Sequence, residues 1–168
     1  FIGDAGDTEA SRASRRSGIE WNNHYIVAPW LLFDLDLAVS RARFTQGDPA
    51  GDRIPGSLGK VASFGATVTD RGRWSGALQL RYFGPRPLIE DDSVRSRATA
   101  LAYARVGYKL SPSTRLSLDV FNLFDRKASD VDYLYSSRLR GEPEGGVEDI
   151  HFHPVEPRSF RVTLTHNF

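Results

Sequence analysis

Two histidines, His151 and His153, lie two residues apart, with Glu148 and Asp149 just before them. On a strand, that spacing puts both imidazoles on one face, where a metal takes nitrogen and oxygen ligands. The spacing fixes no third ligand, and two histidines among carboxylates in a Gly/Pro-rich stretch more commonly just meet solvent. No metal site and no cofactor is expected. Asp34 and Asp36 share a face in the same way and would suit paired-carboxylate chemistry. The plainer reading is that same-face polar groups on a barrel strand face a watery lumen. The chain has no cysteine, which excludes disulfide scaffolds, thiolate zinc sites and catalytic thiols. No P-loop, HExxH helix or Ser/His/Asp constellation is present, so an enzyme is not expected. A net charge of +1 leaves no nucleic-acid footprint.

The elements that carry these residues read as strands. Over 30–44, Leu31, Phe33, Leu35, Leu37 and Val39 alternate with Leu32, Asp34, Asp36, Ala38 and Ser40. A period of two puts the large apolar groups on one face and polar or small groups on the other. A helix would scatter both aspartates into the apolar stripe. The same alternation predicts strands over 14–28, 58–69, 73–83, 98–110, 114–138 and 157–168. Residues 1–13 read as loop. No window approaches the roughly 18 consecutive apolar residues of a membrane helix, a requirement that a membrane barrel escapes because only alternate residues face lipid.

Connections between these strands alternate. Ala28-Pro29, Asp70-Arg-Gly-Arg73 and Ser111-Pro-Ser-Thr114 are tight. Residues 45–57, 84–97 and 139–156 are long, and rich in Gly and Pro. Tight turns at one rim and long loops at the other are the pattern of a transmembrane barrel. The pattern favours reading 114–138 as one long strand, bulged near Asn122, rather than two strands divided by a turn at Asp125-Arg-Lys127. Trp30 and Trp74 lie beside tight turns and suit a membrane interface, where such rings are part wet and part dry. Asp34, Asp36, Gln79, Arg81, Arg115 and Asp119 are the candidate lumen-lining residues. The expected fold is all-β: an antiparallel up-and-down transmembrane β-barrel, present as an incomplete segment of about seven strands. Two alternatives remain. A turn at Asp125–Lys127 would give a complete eight-stranded barrel with a structural or adhesive role. A soluble β-sandwich or lipocalin-like binding module would use the aromatics to plug its ends.

Residues 160–168, Phe-Arg-Val-Thr-Leu-Thr-His-Asn-Phe, alternate strictly and stop on an aromatic. The stretch resembles the C-terminal assembly signal of outer-membrane proteins, carried here by Phe160, Val162, Leu164 and Phe168. Further residues extend the likeness: Tyr108-x-Leu-x-Pro112, Leu116-x-Leu-x-Val120, then Asn122-Leu123-Phe124-Asp125. Pro49-x-Gly-Asp-Arg-Ile-Pro55, Trp74-Ser-Gly76, Arg81-Tyr-Phe-Gly-Pro-Arg86, Asp149-Ile-His-Phe-His-Pro154 and Glu156-Pro-Arg158 belong to the same set. Taken in order, they make nearly the whole chain resemble the C-terminal barrel portion of TonB-dependent outer-membrane receptors.

That resemblance implies a 22-stranded barrel closed by an N-terminal plug, of which these strands would be 16 to 22. It implies energy-coupled uptake of a scarce ligand such as a ferric siderophore or cobalamin, at the outer membrane of a Gram-negative bacterium. The implied partners are the remainder of the barrel and its plug, the TonB complex, the barrel-assembly machinery and outer-membrane lipid. The chain opens on Phe1 and matches neither a signal sequence nor a plug. With an odd strand count, this leads to the expectation of a fragment of something larger.

Overall fold

The computed structural model describes residues 12–168. Of the loop expected over 1–13, residues 1–11 lie outside the described residues. Nine strands follow in order: β1 (Ser14–Ala28), β2 (Leu31–Phe44), β3 (Lys60–Arg71), β4 (Trp74–Phe83), β5 (Thr99–Lys109), β6 (Thr114–Phe121), β7 (Ser129–Ser137), β8 (Val147–Pro154) and β9 (Ser159–His166). Seven of them make one antiparallel sheet in the order β1-β2-β3-β4-β5-β6-β9, and β7 and β8 pair as a separate hairpin.

That hairpin corrects two expectations. The segment 114–138 is not one strand: β6 stops at Phe121, and β7 resumes at Ser129. Asn122 and Asp125 hold positive φ angles of 47° and 50°, which turn the chain out of the extended form. Asp125-Arg-Lys127 bends the chain without returning it to the sheet, because β7 pairs with β8 and not with β6. The loop expected over 139–156 is correspondingly shorter, since its second half is β8. Among the described residues no eighth wall strand, which a complete small barrel would need, is formed.

The register separates the two faces of the sheet. One row runs across all seven strands: Tyr25, Phe33, Ala66, Leu78, Ala104, Val120 and Phe160. Its neighbours on the same face hold Leu35, Phe64 and Leu80 on one side and Leu31, Val68, Val106, Leu118 and Val162 on the other. The rows between belong to the opposite face and hold His24, Asp34, Gln79 and Tyr103, or Asn22, Asp36, Ser63 and Arg81. A soluble sandwich would bury the apolar rows against a second layer. Among the described residues nothing does so: Val106 is 49% exposed and Val162 68%, and no large side chain is fully buried.

The ends of the strands are staggered. From the shared row to the short-turn end is two residues on β2 (Phe33 to Leu31), four on β4 (Leu78 to Trp74) and six on β9 (Phe160 to His166). At the other end the order reverses: Phe33 to Phe44 is eleven residues, Leu78 to Phe83 five, and Phe160 to Ser159 one. A line drawn through the turns therefore crosses the strands obliquely. Such tilt and stagger are what a sheet needs in order to close into a barrel.

Candidate functional site

The site has two parts, the polar face of the sheet and a cap built on its long-loop end. On the polar face, the His24 Nδ1 atom lies 2.6 Å from Asp34 Oδ1 on the adjacent strand. Asp36 pairs across with Asn22 and Ser63. Gln79 and Arg81 follow on β4, and the Arg81 guanidinium lies 5.9 Å from the centre of the Tyr103 ring. Arg105 Nε donates to Asp119 Oδ1 at 2.5 Å, and Arg161 is the register partner of Asp119 on the far side. Asp119 is 6% exposed, and its Oδ2 atom is buried without a partner. Arg115 lies lower, reaching Asp70 at 3.1 Å, where Lys109 also binds at 2.7 Å. All six residues expected on a lumen face thus fall on one face, though Asp36 and Arg115 are far apart. His24 and Arg161, which complete the set, had no signal of their own beyond strand parity.

The cap laces the long loops together. Gly51, with φ 115°, passes so close to the second loop that an added Cβ would lie 2.3 Å from the Glu90 carbonyl oxygen. Arg53 N donates to that same oxygen at 2.9 Å, and its side chain meets Asp92 at 3.0 Å. Gly56 N donates to Pro87 O at 2.8 Å. Arg12 spans both loops, near Asp48 at 3.5 Å and Glu90 at 3.7 Å, with its guanidinium over Phe44. Asp91 closes a local turn, accepting from the Ser93 hydroxyl at 2.6 Å and its backbone N–H at 2.8 Å, which holds its carboxyl below the usual carboxylate range. The second loop is then tied to β7. Arg86 Nη2 donates to Asp132 Oδ2 at 2.9 Å and to Asp130 O at 3.2 Å, both paired side chains being nearly buried. Thr99 Oγ1 donates to Ser129 O at 2.7 Å.

Asn122, Leu123, Phe124 and Asp125 form the clasp beneath this cap. Asn122 is 2% exposed. Its Nδ2 donates to Arg126 O and Glu156 O, each at 3.0 Å, and its Oδ1 accepts from Arg126 N at 2.9 Å. Leu123 N donates to Ala102 O, and Asp125 Oδ1 accepts from Arg158 N at 2.9 Å. Asparagine and aspartate are the residues, after glycine, that tolerate a left-handed backbone. The clasp therefore holds the exit of β6 to the entry of β9 and sends the hairpin between them outward. On that hairpin, His151 stacks on Tyr135 at 3.8 Å and His153 meets Tyr133 edge-on at 6.3 Å. The described residues hold no group of three or more His, Asp or Glu arranged for a metal ion.

At the short-turn end, Trp74 packs on Tyr108 with ring centres 4.7 Å apart, and Arg71 lies over the Trp30 ring at 3.9 Å. Trp21 on β1 and Tyr82 on β4 share a row of the apolar face toward the loops, two aromatics that spacing from turns did not single out. Phe160, Val162 and Leu164 line the apolar face of β9, each more than 60% exposed, and the final Phe168 ring meets His166 edge-on at 4.8 Å.

Among solved structures, the chain superposes on the ferric-catecholate import receptor Fiu of E. coli K12 in its closed form. The TM-score is 0.74 at 21% identity, over 99% of this chain and 23% of that one. On the ferric yersiniabactin uptake receptor FyuA of Yersinia pestis the TM-score is 0.70 at 21% identity, over 92% and 24%. On the copper transporter OprC it is 0.66 at 21% identity, over 92% and 24%. The fold is that of a TonB-dependent receptor barrel. The chain spans about a quarter of the length of these structures. No protein-family model matches it, and no curated protein does. Within this fold the sheet of the described residues is a partial wall, with β1 and β9 at its two edges.

Proposed function

We propose that the chain is the C-terminal wall, strands 16 to 22, of a TonB-dependent outer-membrane receptor that imports a scarce metal complex, such as a ferric siderophore, or cobalamin. The observation that supports this most is the staggered sheet with one uncovered apolar face and one charged face, superposing on uptake receptors for ferric and copper cargo. The apolar face meets lipid. On β4 it runs from Trp74 to Tyr82, about 27 Å of strand at about 3.4 Å per residue, or about 20 Å of height at a tilt of about 40°, most of an apolar band about 25 Å tall with aromatic girdles. The charged face lines the lumen against a plug carried elsewhere in the parent protein, which also supplies the contact with the TonB complex. The short-turn rim faces the periplasm.

The laced cap faces outward, and the ring face of the hairpin (Tyr133, Tyr135, His151 and His153) meets the incoming ligand. The free edge of β9 pairs with the first strand of the parent barrel after delivery by the assembly machinery through Phe160, Val162, Leu164 and Phe168. The test is uptake of labelled ferric siderophores by cells carrying or lacking the parent protein. Uptake that needs both the protein and an energised TonB complex supports the proposal. An outer-membrane protein whose loss changes no uptake or binding overturns the receptor role.

A further inference from the structure

On the apolar face, toward the long-loop end, the sheet carries a cleft of about 320 Å³. Its floor is Ala62, Ala100 and Ala102, and its walls include Phe64, Leu80 and Phe124. It lies on β3, β4 and β5, the middle of the sheet, so no neighbour added at either open edge would cover it. Its volume sits at the low end of ligand pockets, about 300–1,000 Å³, and its lining is mainly apolar, with Ser63 and Arg81 entering from a row whose side chains belong to the opposite face, and one cation at the rim. There Arg126 enters the lining, held by its backbone N–H to Asn122 Oδ1 at 2.9 Å. The clasp therefore fixes both an aromatic wall and a cation at one mouth of the cleft.

Further cations continue from that mouth. Lys127 follows Arg126. Lys60 shares the face of Ala62 one step closer to the loops and pairs with Val39, and Arg41 and Arg15 come next on β2 and β1 by strand parity. All five are exposed, and among the described residues none lies within ion-pair distance of a carboxylate. By contrast, Arg43 near the end of β2 and the loop arginines Arg12, Arg53, Arg86 and Arg95 are all paired. An apolar slot topped by unpaired cations is complementary to an acyl chain below an anionic headgroup.

We infer that this cleft binds one phosphorylated, acylated glycolipid of the outer leaflet, with an acyl chain over Ala100 and Ala102 and its phosphate between Arg126, Lys127 and Lys60. The inference rests on the outer-membrane reading above. Each basic group near an anionic surface contributes about 1 kcal/mol, which corresponds to roughly fivefold in binding. The parent protein, purified from outer membranes in mild detergent, is titrated with bisphosphorylated lipid A, its dephosphorylated form and phosphatidylglycerol, and bound lipid is counted by native mass spectrometry. One lipid A is expected to bind in preference to both others. Lys60→Gln with Arg126→Gln should weaken it on the order of twenty-fold, and Ala100→Phe should remove it by filling the slot.

Slower gel migration after heating reports whether each variant is folded. Arg73→Gln, in the turn before β4 at the short-turn end, serves as the charge control. Equal binding of phosphatidylglycerol, unchanged binding in the folded variants, or a stoichiometric protein bound over the cleft would overturn the glycolipid site and leave the receptor reading standing. A parent protein absent from the outer membrane would overturn both.

Discussion

The two ends of the sheet are finished by different physics. At the short-turn end each connection is a few residues long, and the contacts join the ends of strands: Trp74 on Tyr108 and Arg71 on Trp30 across neighbouring strands, and Lys109 of β5 and Arg115 of β6 on Asp70 of β3. At the long-loop end the contacts tie loop to loop and loop to hairpin. Arg86 reaches Asp132, Gly51 reaches Glu90, and Asn122 reaches Glu156. One end is closed by contacts between strand ends. The other is laced through its loops, so that losing one contact is expected to loosen several loops together. In the receptor proposed above, a cap laced in this way would present a fixed surface to a ligand.

This contrast can be broken from the cap side first. Arg86→Ala leaves the Asp132 carboxylate buried without its cation and should destabilise the cap by about 3–5 kcal/mol. Proteolysis within the loops, followed on the folded protein in detergent, checks it, and Arg86→Ala with Asp132→Ala should recover part of the loss. Asn122→Ala orphans three backbone groups, a cost of about 1–3 kcal/mol, with about 1 kcal/mol more from a left-handed φ that alanine resists. A lower unfolding midpoint in urea is expected. Asn122→Asp should fall between, because it keeps the acceptor and the backbone preference but loses both donations. Gly51→Ala forces a Cβ against the Glu90 carbonyl at a strained φ, about 1–3 kcal/mol, read as faster cleavage of both loops together. At the other end, Trp74→Ala should cost only the ring pair, about 0.5–1.5 kcal/mol beyond burial, and leave loop proteolysis unchanged.

The same contrast explains what could be read in advance. The wall was legible because strand parity is a local property: Leu31 to Val39 alternate, and the register then puts Asp34, Gln79, Arg81 and Asp119 on one face. The tight turns were legible from Asp70-Arg-Gly and Ser111-Pro. The hairpin was not. Nothing local distinguishes a strand that continues through Asn122 from one that stops there, because the break is made by hydrogen bonds to Glu156 and Arg158, more than thirty residues on. The residues that resemble the receptor family were visible as a set, but their roles as clasp and lacing depend on partners that no spacing rule connects. The unpaired cations above the cleft were hidden for a related reason, since they come from β1, β2, β3 and the residues just after the clasp.

The central claim is that the apolar face meets lipid and the charged face meets water. The chain has no cysteine, so single cysteines at positions 78, 79, 80 and 81 of β4 can each carry an environment-sensitive fluorophore in the parent protein reconstituted into bilayers. Leu78→Cys and Leu80→Cys should be quenched by bromines on lipid chains and ignored by aqueous iodide, while Gln79→Cys and Arg81→Cys should show the reverse. Loss of that alternation, or shielding of positions 78 and 80 from lipid, would contradict it.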